Sequence, residues 1–295
     1  MHSTSPRQLE VFVRIAQLGS VRAAAQRLHM TQPAASMALA ELERQLDAAL
    51  FERERGRLRL NPRGRELLPL AQELLERHAE FGRRGRGNGE APSGELRIGA
   101  SNTVGNYRVG ELLGAFVRAY PQVAIRLRVA NTDAIAAAML DHALDLGCVE
   151  GPVAHPLIEA RPWRDDSLVV CAPPDHPLAR RRGLKPADFA GARWVLREPG
   201  SATRAISERV LSQLPAGETV LELDQIEAIK QAVVAGLGIA CLPQVAVVDA
   251  LAAGRLKALK TPFLDLRRKL SMLIHKQKYR GALLDAFLAQ AKPTR

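Results

Sequence analysis

Residues 18–55 constrain the fold more than any other part of the chain. Alanines at positions 23–25 favour a short helix and let a second helix cross it at close range. Thr31 is a good N-cap for that second helix, and Pro33 fits its first turn, where a missing N–H costs little. The stretch therefore predicts two short helices joined by a tight turn at residues 29–31.

The second predicted helix has two different faces. Its buried stripe, at steps of three and four residues, is predicted at Ala35, Leu39, Leu42 and Leu46. The opposite face carries mostly short or polar side chains, as a helix in the DNA major groove needs, because bulk would hold its backbone away from the base edges. The predicted DNA contacts at its leading end are Gln32, Pro33, Ser36 and Met37. Periodicity alone leaves an ordinary α-helical hairpin open as the alternative.

A basic hairpin follows these helices. Residues 52–60 alternate charged and apolar side chains around Gly56, which predicts a two-stranded wing. We expect Arg53 and Arg55 to reach phosphates beside the groove, where contacts give affinity without reading sequence. A solvated loop would explain the polarity of residues 53–65, but not their six arginines against one acidic residue.

A long helix is predicted next, with Asn61 as its N-cap, from Pro62 to about Phe81. Pro69 should bend this helix without ending it. A stripe on one side is predicted at Leu67, Leu70 or Ala71, Leu74, Leu75 and His78, with Leu67, Ala71, Leu74 and Leu75 as the predicted dimerisation residues. Because no other nearby element of the chain is expected to cover the stripe, we predict that two copies of the helix pair with each other.

Composition narrows the class of protein. The net charge of +11 suits a nucleic-acid partner, but residues 1–94 carry 15 arginines and 11 acidic residues, so most of the net charge lies elsewhere. No apolar run approaches a membrane span and no secretory signal is visible, which predicts a cytoplasmic protein without a membrane partner. Cys148, Cys171 and Cys241 are predicted to be buried free thiols.

From residue 95 onward, strands and helices alternate, which predicts a parallel sheet. The pattern fits two α/β subdomains. We expect the chain to cross between them near Arg164, in a charged segment that separates strands at residues 158–163 and 167–171, and to return near Leu266.

Two strand-to-helix turns carry clustered polar side chains that could hold an anion. Helix N-termini present unpaired N–H groups, and neighbouring hydroxyls add donors. The predicted contacts are Ser101, Asn102 and Thr103 on one subdomain and Ser201, Thr203 and Arg204 on the other. Plain helix capping is the alternative for each turn taken alone.

The chain resembles LysR-type transcriptional regulators along nearly its whole length. Its amino-terminal part has the family's order of LGS at 18–20, QPAAS at 32–36, LE at 42–43 and LFER at 50–53. The remainder has LRIGASNT at 96–103, DHPL at 175–178 and GLGI at 236–239. Two positions depart from the pattern. Met37 stands where a basic or polar DNA contact is frequent, and Asp47 stands where glycine usually ends the helix.

The resemblance implies an effector-binding portion that is similar to periplasmic binding proteins and closes around a small ligand. It adds Glu150, just after the third strand of this portion, to the residues that line the cleft, and it implies assembly into a homodimer or homotetramer. The effector portion looks most like members linked to sulfur or carbon assimilation. The implied domains are a winged helix-turn-helix (residues 1–60), a dimerisation helix and hinge (61–94), effector subdomain I (95–164 and 267–295) and effector subdomain II (165–266).

The predicted fold class is α/β plus α: a winged helix-turn-helix, a long linker helix and a two-subdomain α/β effector domain. The predicted function is binding to double-stranded promoter DNA, modulated by a small anionic metabolite. No catalytic constellation, metal-ligand spacing or nucleotide-binding glycine loop stands out, so neither enzyme activity nor a cofactor is expected. Two alternatives are kept: an enzyme with a DNA-binding module, and an architectural DNA-binding protein without a ligand.

Overall fold

The computed structural model describes residues 4–54, 57–85 and 92–291, apart from the side chains of residues 83 and 84. The chain divides into two compact units. The first contains residues 1–94, 141–143 and 276–286, and the second contains residues 95–140, 144–275 and 287–295. Among the described helices, none combines the length and the apolar character that a membrane span requires.

The first unit begins with three helices, a hairpin and a long helix. They are α1 (Pro6–Leu18), α2 (Val21–Arg27), α3 (Gln32–Leu46), β1 (Phe51–Glu54), β2 (Arg57–Leu60) and α4 (Pro62–Gly85). The Thr31 side chain accepts a hydrogen bond from the backbone N–H of Ala34, which confirms the predicted N-cap of α3. Asp47 ends α3 in the left-handed conformation, with φ 49°, and so takes the backbone shape that glycine usually supplies there.

Small side chains let the first three helices pack closely. Ala24 and Ala25 of α2 are buried together with Ala35 and Leu39 of α3 and with apolar residues of α1. This confirms the buried stripe predicted for α3, although Leu46 is only half-buried.

The apolar side of α4 packs within its own chain. Leu68 and Ala71 are buried with Phe12 of α1 and Leu42 of α3, and Leu67 and Leu75 pack against this cluster. The expectation that no element of the chain covers the stripe is therefore wrong, because α1 lies against it. The helix continues through Pro69 as predicted and ends four residues later than expected, at Gly85. Residues 86–91 of the predicted hinge lie outside the described residues.

The remaining elements lie in the second unit, apart from Gly94 and residues 282–286, which belong to the first. The first nine are β3 (Gly94–Ala100), α5 (Asn102–Tyr107), α6 (Val109–Ala119), β4 (Val123–Val129), α7 (Thr132–Leu140), β5 (Leu146–Glu150), β6 (Ile158–Ala172), α8 (Pro177–Arg180) and a 3-10 helix (Pro186–Phe189). The others are β7 (Arg193–Arg197), α9 (Ala202–Leu211), β8 (Glu218–Leu223), α10 (Ile226–Val234), β9 (Ala240–Pro243), α11 (Gln244–Ala252), β10 (Lys257–Ala258), β11 (Arg267–His275) and α12 (Ala282–Gln290). Arg108 leaves helical geometry and so separates α5 from α6.

The prediction of a parallel sheet is only partly right. Strands β3 and β5 are parallel, but β11 is antiparallel to both β5 and β6. The reason is topological: β6 leaves the first subdomain and β11 returns to it, so the two connecting strands run side by side in opposite directions. The main sheet has the order β10-β6-β11-β5-β3-β4, and β9 also pairs with β6.

Strand β6 is continuous, so the prediction of two strands separated by a charged segment at Arg164 is wrong. Its hydrogen-bonded partner changes along its length: Ser167 pairs with Arg267 of β11, and the next residue, Leu168, pairs with Pro243 of β9. The charged residues are accommodated within a strand because Asp165 is exposed and the other two find an opposite charge. Asp166 pairs with Arg268, and Arg164 pairs with Glu111, with 2.8 Å between NH1 and Oε2.

The change of partner along β6 separates two sheets, which define the two subdomains used below. Subdomain I contains β3, β4, β5, β11 and the first part of β6 with α5–α7, and subdomain II contains the end of β6 and β7–β10 with α8–α11. Cys171 and Cys241 lie in different apolar clusters of subdomain II, and all three cysteines are buried free thiols, as predicted. Burial raises the pKa of Cys171 and of Cys241 to about 12.

Candidate DNA-binding surface and effector cleft

The predicted DNA contacts on α3 lie together on its exposed face. Gln32, Pro33 and Ser36 are exposed in the first turns of the helix. Met37 is 72% exposed and is one of the most exposed large apolar side chains. Ala35 and Leu39 face the core, so the opposite face of α3 is free to enter a DNA groove while the core packing is kept.

The predicted wing is a two-stranded antiparallel hairpin. Arg53 of β1 pairs with Leu58 of β2, and the backbone N–H of Leu58 donates to the carbonyl of Gly19, which fixes the hairpin to the end of α1. Arg53 is exposed, as a phosphate contact must be. Arg59 forms an ion pair with Glu54, so part of the basic charge is neutralised within the wing. The predicted contact Arg55 and the turn residue Gly56 lie outside the described residues.

Among the residues that the structure describes, two cavities lie in the cleft between the two subdomains. The larger has a volume of about 390 Å³, and the smaller about 290 Å³. Gly151, Pro152, Ile206 and Arg209 line both. The larger cavity also contains Ser201 and Arg204 at the start of α9, and the smaller contains Arg267, Arg268 and Lys269 of β11.

Polar contacts also join the subdomains beside the larger cavity. The backbone N–H of Asp133 donates to the carbonyl of Gly200 over 3.2 Å, and Asn131 Nδ2 donates to Glu198 Oε1 over 3.2 Å. These contacts depend on the arrangement of the subdomains, because each has one partner in subdomain I and one in subdomain II.

Arg268 is the centre of a buried hydrogen-bond network that connects the subdomains. Its NH2 donates to Thr103 Oγ1 of α5 over 3.0 Å, and its NH1 donates to Thr203 Oγ1 of α9 over 2.9 Å. Its Nε donates to Asp166 Oδ2 over 2.7 Å. A charge-assisted donor is thus shared between one hydroxyl of each subdomain.

Two more charges complete this network. Glu150 Oε1 accepts a hydrogen bond from Thr103 Oγ1 over 2.9 Å and lies 3.6 Å from NH1 of Arg268. Arg108 NH2 donates to Asp166 Oδ1 over 3.4 Å. Two guanidinium groups therefore face two carboxylates, and the cluster is balanced in charge.

The structure separates the capping residues from the network residues at the two strand-to-helix turns. Ser101 and Ser201 are the N-caps: their hydroxyls accept hydrogen bonds from the backbone N–H groups of Val104 and Arg204. Capping thus accounts for the two serines but not for Thr103 and Thr203, whose hydroxyls meet at Arg268. Asn102 is buried beside them, and its Oδ1 accepts from Asn106 Nδ2.

Arg204 lines the larger cavity, but its charge is already shared by acidic residues. Its Nε pairs with Glu208 and its NH1 with Glu222, at 2.7 and 2.8 Å. Burial opposes the charge of Arg204, but these hydrogen bonds outweigh it and the pKa of the guanidinium is raised. Arg268, which the sequence reasoning missed, supplies the buried positive charge between the two threonines.

The predicted dimerisation residues are divided between two sides of α4. Ala71 is buried, and Leu67 and Leu75 are half-buried against the same chain. Leu74 is 53% exposed, as is Leu70, and Phe81 is 79% exposed. Because positions 70, 74 and 81 recur at helical spacing, these three residues form one exposed apolar stripe.

Comparison with known proteins then decides the class. The model of the bacterial regulatory helix-turn-helix protein, lysR family, matches residues 6–65, and that of the LysR substrate binding domain matches residues 89–294. The chain belongs to the LysR family.

Relatives cover its whole length. The chain is 41% identical over 294 residues to the uncharacterized HTH-type transcriptional regulator YeiE of Escherichia coli, which covers 99% of this chain and 98% of YeiE. Full-length OxyR from Pseudomonas aeruginosa has a TM-score of 0.77 at 24% identity, over 99% of this chain and 95% of OxyR. The regulatory domain of Synechocystis CcmR in complex with 2-PG has a TM-score of 0.62 at 29% identity, over 68% of this chain and 96% of that domain.

These matches confirm the predicted fold class and the predicted kind of protein. The LysR-family chain is a DNA-binding transcriptional regulator with an amino-terminal helix-turn-helix and a two-subdomain effector domain. Its relatives are transcriptional regulators.

Proposed function

We propose that this regulator assembles as a homodimer or homotetramer in the cytoplasm, and that a small anionic metabolite in the cleft controls its binding to promoter DNA. The observation that carries the choice of an anion is the lining of the smaller cavity. It has four basic side chains, Arg209, Arg267, Arg268 and Lys269, and no acidic one.

Existing ion pairs leave part of this charge available to a ligand. Arg268 is balanced by Asp166, and the exposed Arg267 is paired with Asp265. Lys269 is exposed, and Arg209 donates to a backbone carbonyl, that of Asp265. A negative charge in the cavity would therefore interact with more positive than negative groups at short range.

An anion in the cleft would couple to the arrangement of the subdomains. Lys269 belongs to subdomain I and Arg209 to subdomain II, so a ligand that contacts both favours the arrangement in which they are close. The known complex of the CcmR regulatory domain with 2-PG supports a small ligand in this part of the family.

A test of the anion site removes its charge from both sides. We expect the variant with Lys269→Ala and Arg209→Ala to lose about tenfold or more in affinity for inorganic phosphate and sulfate, because each removed charge contributes about 1 kcal/mol or more near a protein surface. Isothermal titration calorimetry measures the affinities. The matched control carries Arg118→Ala and Arg255→Ala, which remove two exposed positive charges outside both cavities. If both variants lost the same anion affinity, the loss would come from the overall charge of the protein and not from the cavity.

We propose that α3 reads the DNA sequence and that the wing contacts phosphates. Gln32→Ala should weaken binding to the specific site by about 1–3 kcal/mol and relax preference at one base pair. Arg53→Ala should weaken binding to any duplex and lower the salt slope by about one. Fluorescence anisotropy over a salt series measures both, with Arg118→Ala in the other unit as the charge control. Unchanged specific affinity in Gln32→Ala would show that α3 does not read the sequence.

Two other functions make different predictions. An enzyme would turn over a ligand of the cleft, and an architectural DNA-binding protein would bind all its sites regardless of ligand. We propose neither, because the relatives are transcriptional regulators and the basic cavity offers a ligand site that an architectural protein would not use. Recovery of the bound anion unchanged, together with DNA binding that depends on it, would separate a regulator from both.

A further inference from the structure

The buried carboxylate of Glu150 has an oxygen without a hydrogen-bond partner. Glu150 is 1% exposed, and its Oε1 is held by Thr103 and Arg268. Its Oε2 is buried and accepts no hydrogen bond from any residue that the structure describes. Leaving a buried charged acceptor unsatisfied is costly, so a donor is expected at this oxygen when the site is in use.

Glu150 is fully buried, but its neighbours line the cleft. Gly151 and Pro152, the next two residues, line both cavities, and Arg268, 3.6 Å from Oε1, lines the smaller one. On the other side, Thr132 lines the larger cavity and its hydroxyl donates to the Glu150 carbonyl over 3.4 Å. A ligand in the cleft is therefore a candidate source of the missing donor.

The charge balance of the network restricts what kind of anion can approach. Arg108 and Arg268 already face Asp166 and Glu150, so any anion adds negative charge beside Glu150, and an anion without a proton offers this carboxylate no hydrogen bond in return. An anion that also carries a hydroxyl would instead donate a short, charge-assisted hydrogen bond to Oε2.

The network also has hydrogen-bond donors for the acceptor oxygens of the same ligand. The guanidinium of Arg268 has five N–H donors, and its hydrogen bonds to Asp166, Thr103 and Thr203 use three of them. The remaining donors and the hydroxyl of Thr203 can serve the negatively charged oxygens of the ligand.

We propose that Glu150 selects effectors that combine a negative charge with a hydroxyl donor, such as a singly protonated oxyanion or a 2-hydroxy carboxylate. This inference rests on the proposed anion site in the cleft. It makes Glu150 a specificity-determining residue, because a site built to accept a hydrogen bond rejects a ligand of the same shape that cannot donate one.

The test compares anions that differ by a single donor. At mildly alkaline pH, phosphate is mainly a dianion that keeps one hydroxyl, whereas sulfate has the same shape and charge and no hydroxyl. We expect the full-length protein to bind phosphate about 100-fold more tightly than sulfate, and glycolate more tightly than acetate, in isothermal titration calorimetry. In Glu150→Gln the phosphate-to-sulfate ratio should fall at least tenfold, because the new amide can donate to sulfate. Glu159→Gln, a half-exposed surface change, should leave the ratio unchanged.

Three results would separate the possible failures. Equal binding of phosphate and sulfate by the wild-type protein would overturn the role of Glu150 and leave the anion site standing. An unchanged ratio in Glu150→Gln would assign the selectivity to another residue. Failure of all four anions to bind would overturn the proposed anion site and this inference with it. If Glu150→Gln does not fold, the two wild-type comparisons still decide.

Discussion

Replacing Arg268 with methionine is expected to destabilise the protein by about 3–5 kcal/mol. The substitution keeps an apolar stem but leaves the Asp166 carboxylate, which is 2% exposed, with only the longer contact from Arg108. It also removes the donor shared by Thr103 and Thr203. A fall in the urea concentration at half-unfolding, measured by circular dichroism, would report the loss.

The neighbouring residue provides a control for this prediction. Arg267 has the same charge but an 86% exposed side chain, and its partner Asp265 is also exposed. Surface ion pairs contribute about 0–1 kcal/mol, so Arg267→Met should change stability little. If both variants lost the same stability, the effect would come from the charge of β11 in general and not from the buried network.

Charged residues on the exposed stripe of α4 are expected to break self-association. Leu70 and Leu74 are each about half exposed in the chain, so we expect Leu70→Glu with Leu74→Glu to leave the fold intact. A symmetric dimer would lose the burial of four leucines, each contributing on the order of 1.5–3 kcal/mol when fully buried, and would gain repulsion. Analytical ultracentrifugation should show a monomer, and affinity for a two-half-site operator should fall towards that of a single half-site.

The matched control keeps the apolar area at the same two positions. Leu70→Met with Leu74→Met should remain associated, because methionine has a similar volume and costs less than about 1.5 kcal/mol even in a core. An unchanged assembly in the glutamate variant would remove this stripe from the interface and direct attention to the effector domain.

The sequence predicted best those features that depend on residues close together along the chain. The cap at Thr31 and the buried positions of α3 follow from hydrogen bonds and periodicity within about four residues, and both were predicted correctly except for Leu46, which is only half-buried. Asp47 adopts the left-handed conformation that glycine usually supplies. This too is a local property, because aspartate tolerates that conformation.

Prediction failed where partners lie far apart in the chain. Asp166 and Arg268 are separated by 102 residues, and only the register of β6 against β11 brings them opposite each other. From the sequence, the charged residues 164–166 indicated a break between two strands, because their partners could not be located. The signal that was available is the matching basic run at 267–269, since two charged runs of opposite character can satisfy each other across a pair of strands.

The sequence also did not show which tertiary neighbours Arg204 and Ala71 have, and their predicted roles stay predictions. The position of Arg204 next to a helix start suggested an anion contact, but its acidic neighbour Glu222 comes from an adjacent strand that the helix pattern does not reveal. Ala71 belongs to a periodic apolar stripe, and periodicity does not tell which surface covers it. In each case the residue type suits the proposed chemistry, and the tertiary neighbour is what the sequence could not supply.

The pairing of β6 with β11 restricts how the effector domain can move. The two strands that join the subdomains are hydrogen-bonded to each other from the Ser167–Arg267 pair to the Ile158–His275 pair. Sliding one strand past the other by a residue would break this ladder and turn every side chain to the opposite face, whereas twisting or bending the ribbon keeps its hydrogen bonds. We therefore expect the subdomains to rotate about this ribbon and not to translate, so that a displacement of a few tenths of an ångström near Arg268 becomes a larger swing at the outer ends of both subdomains.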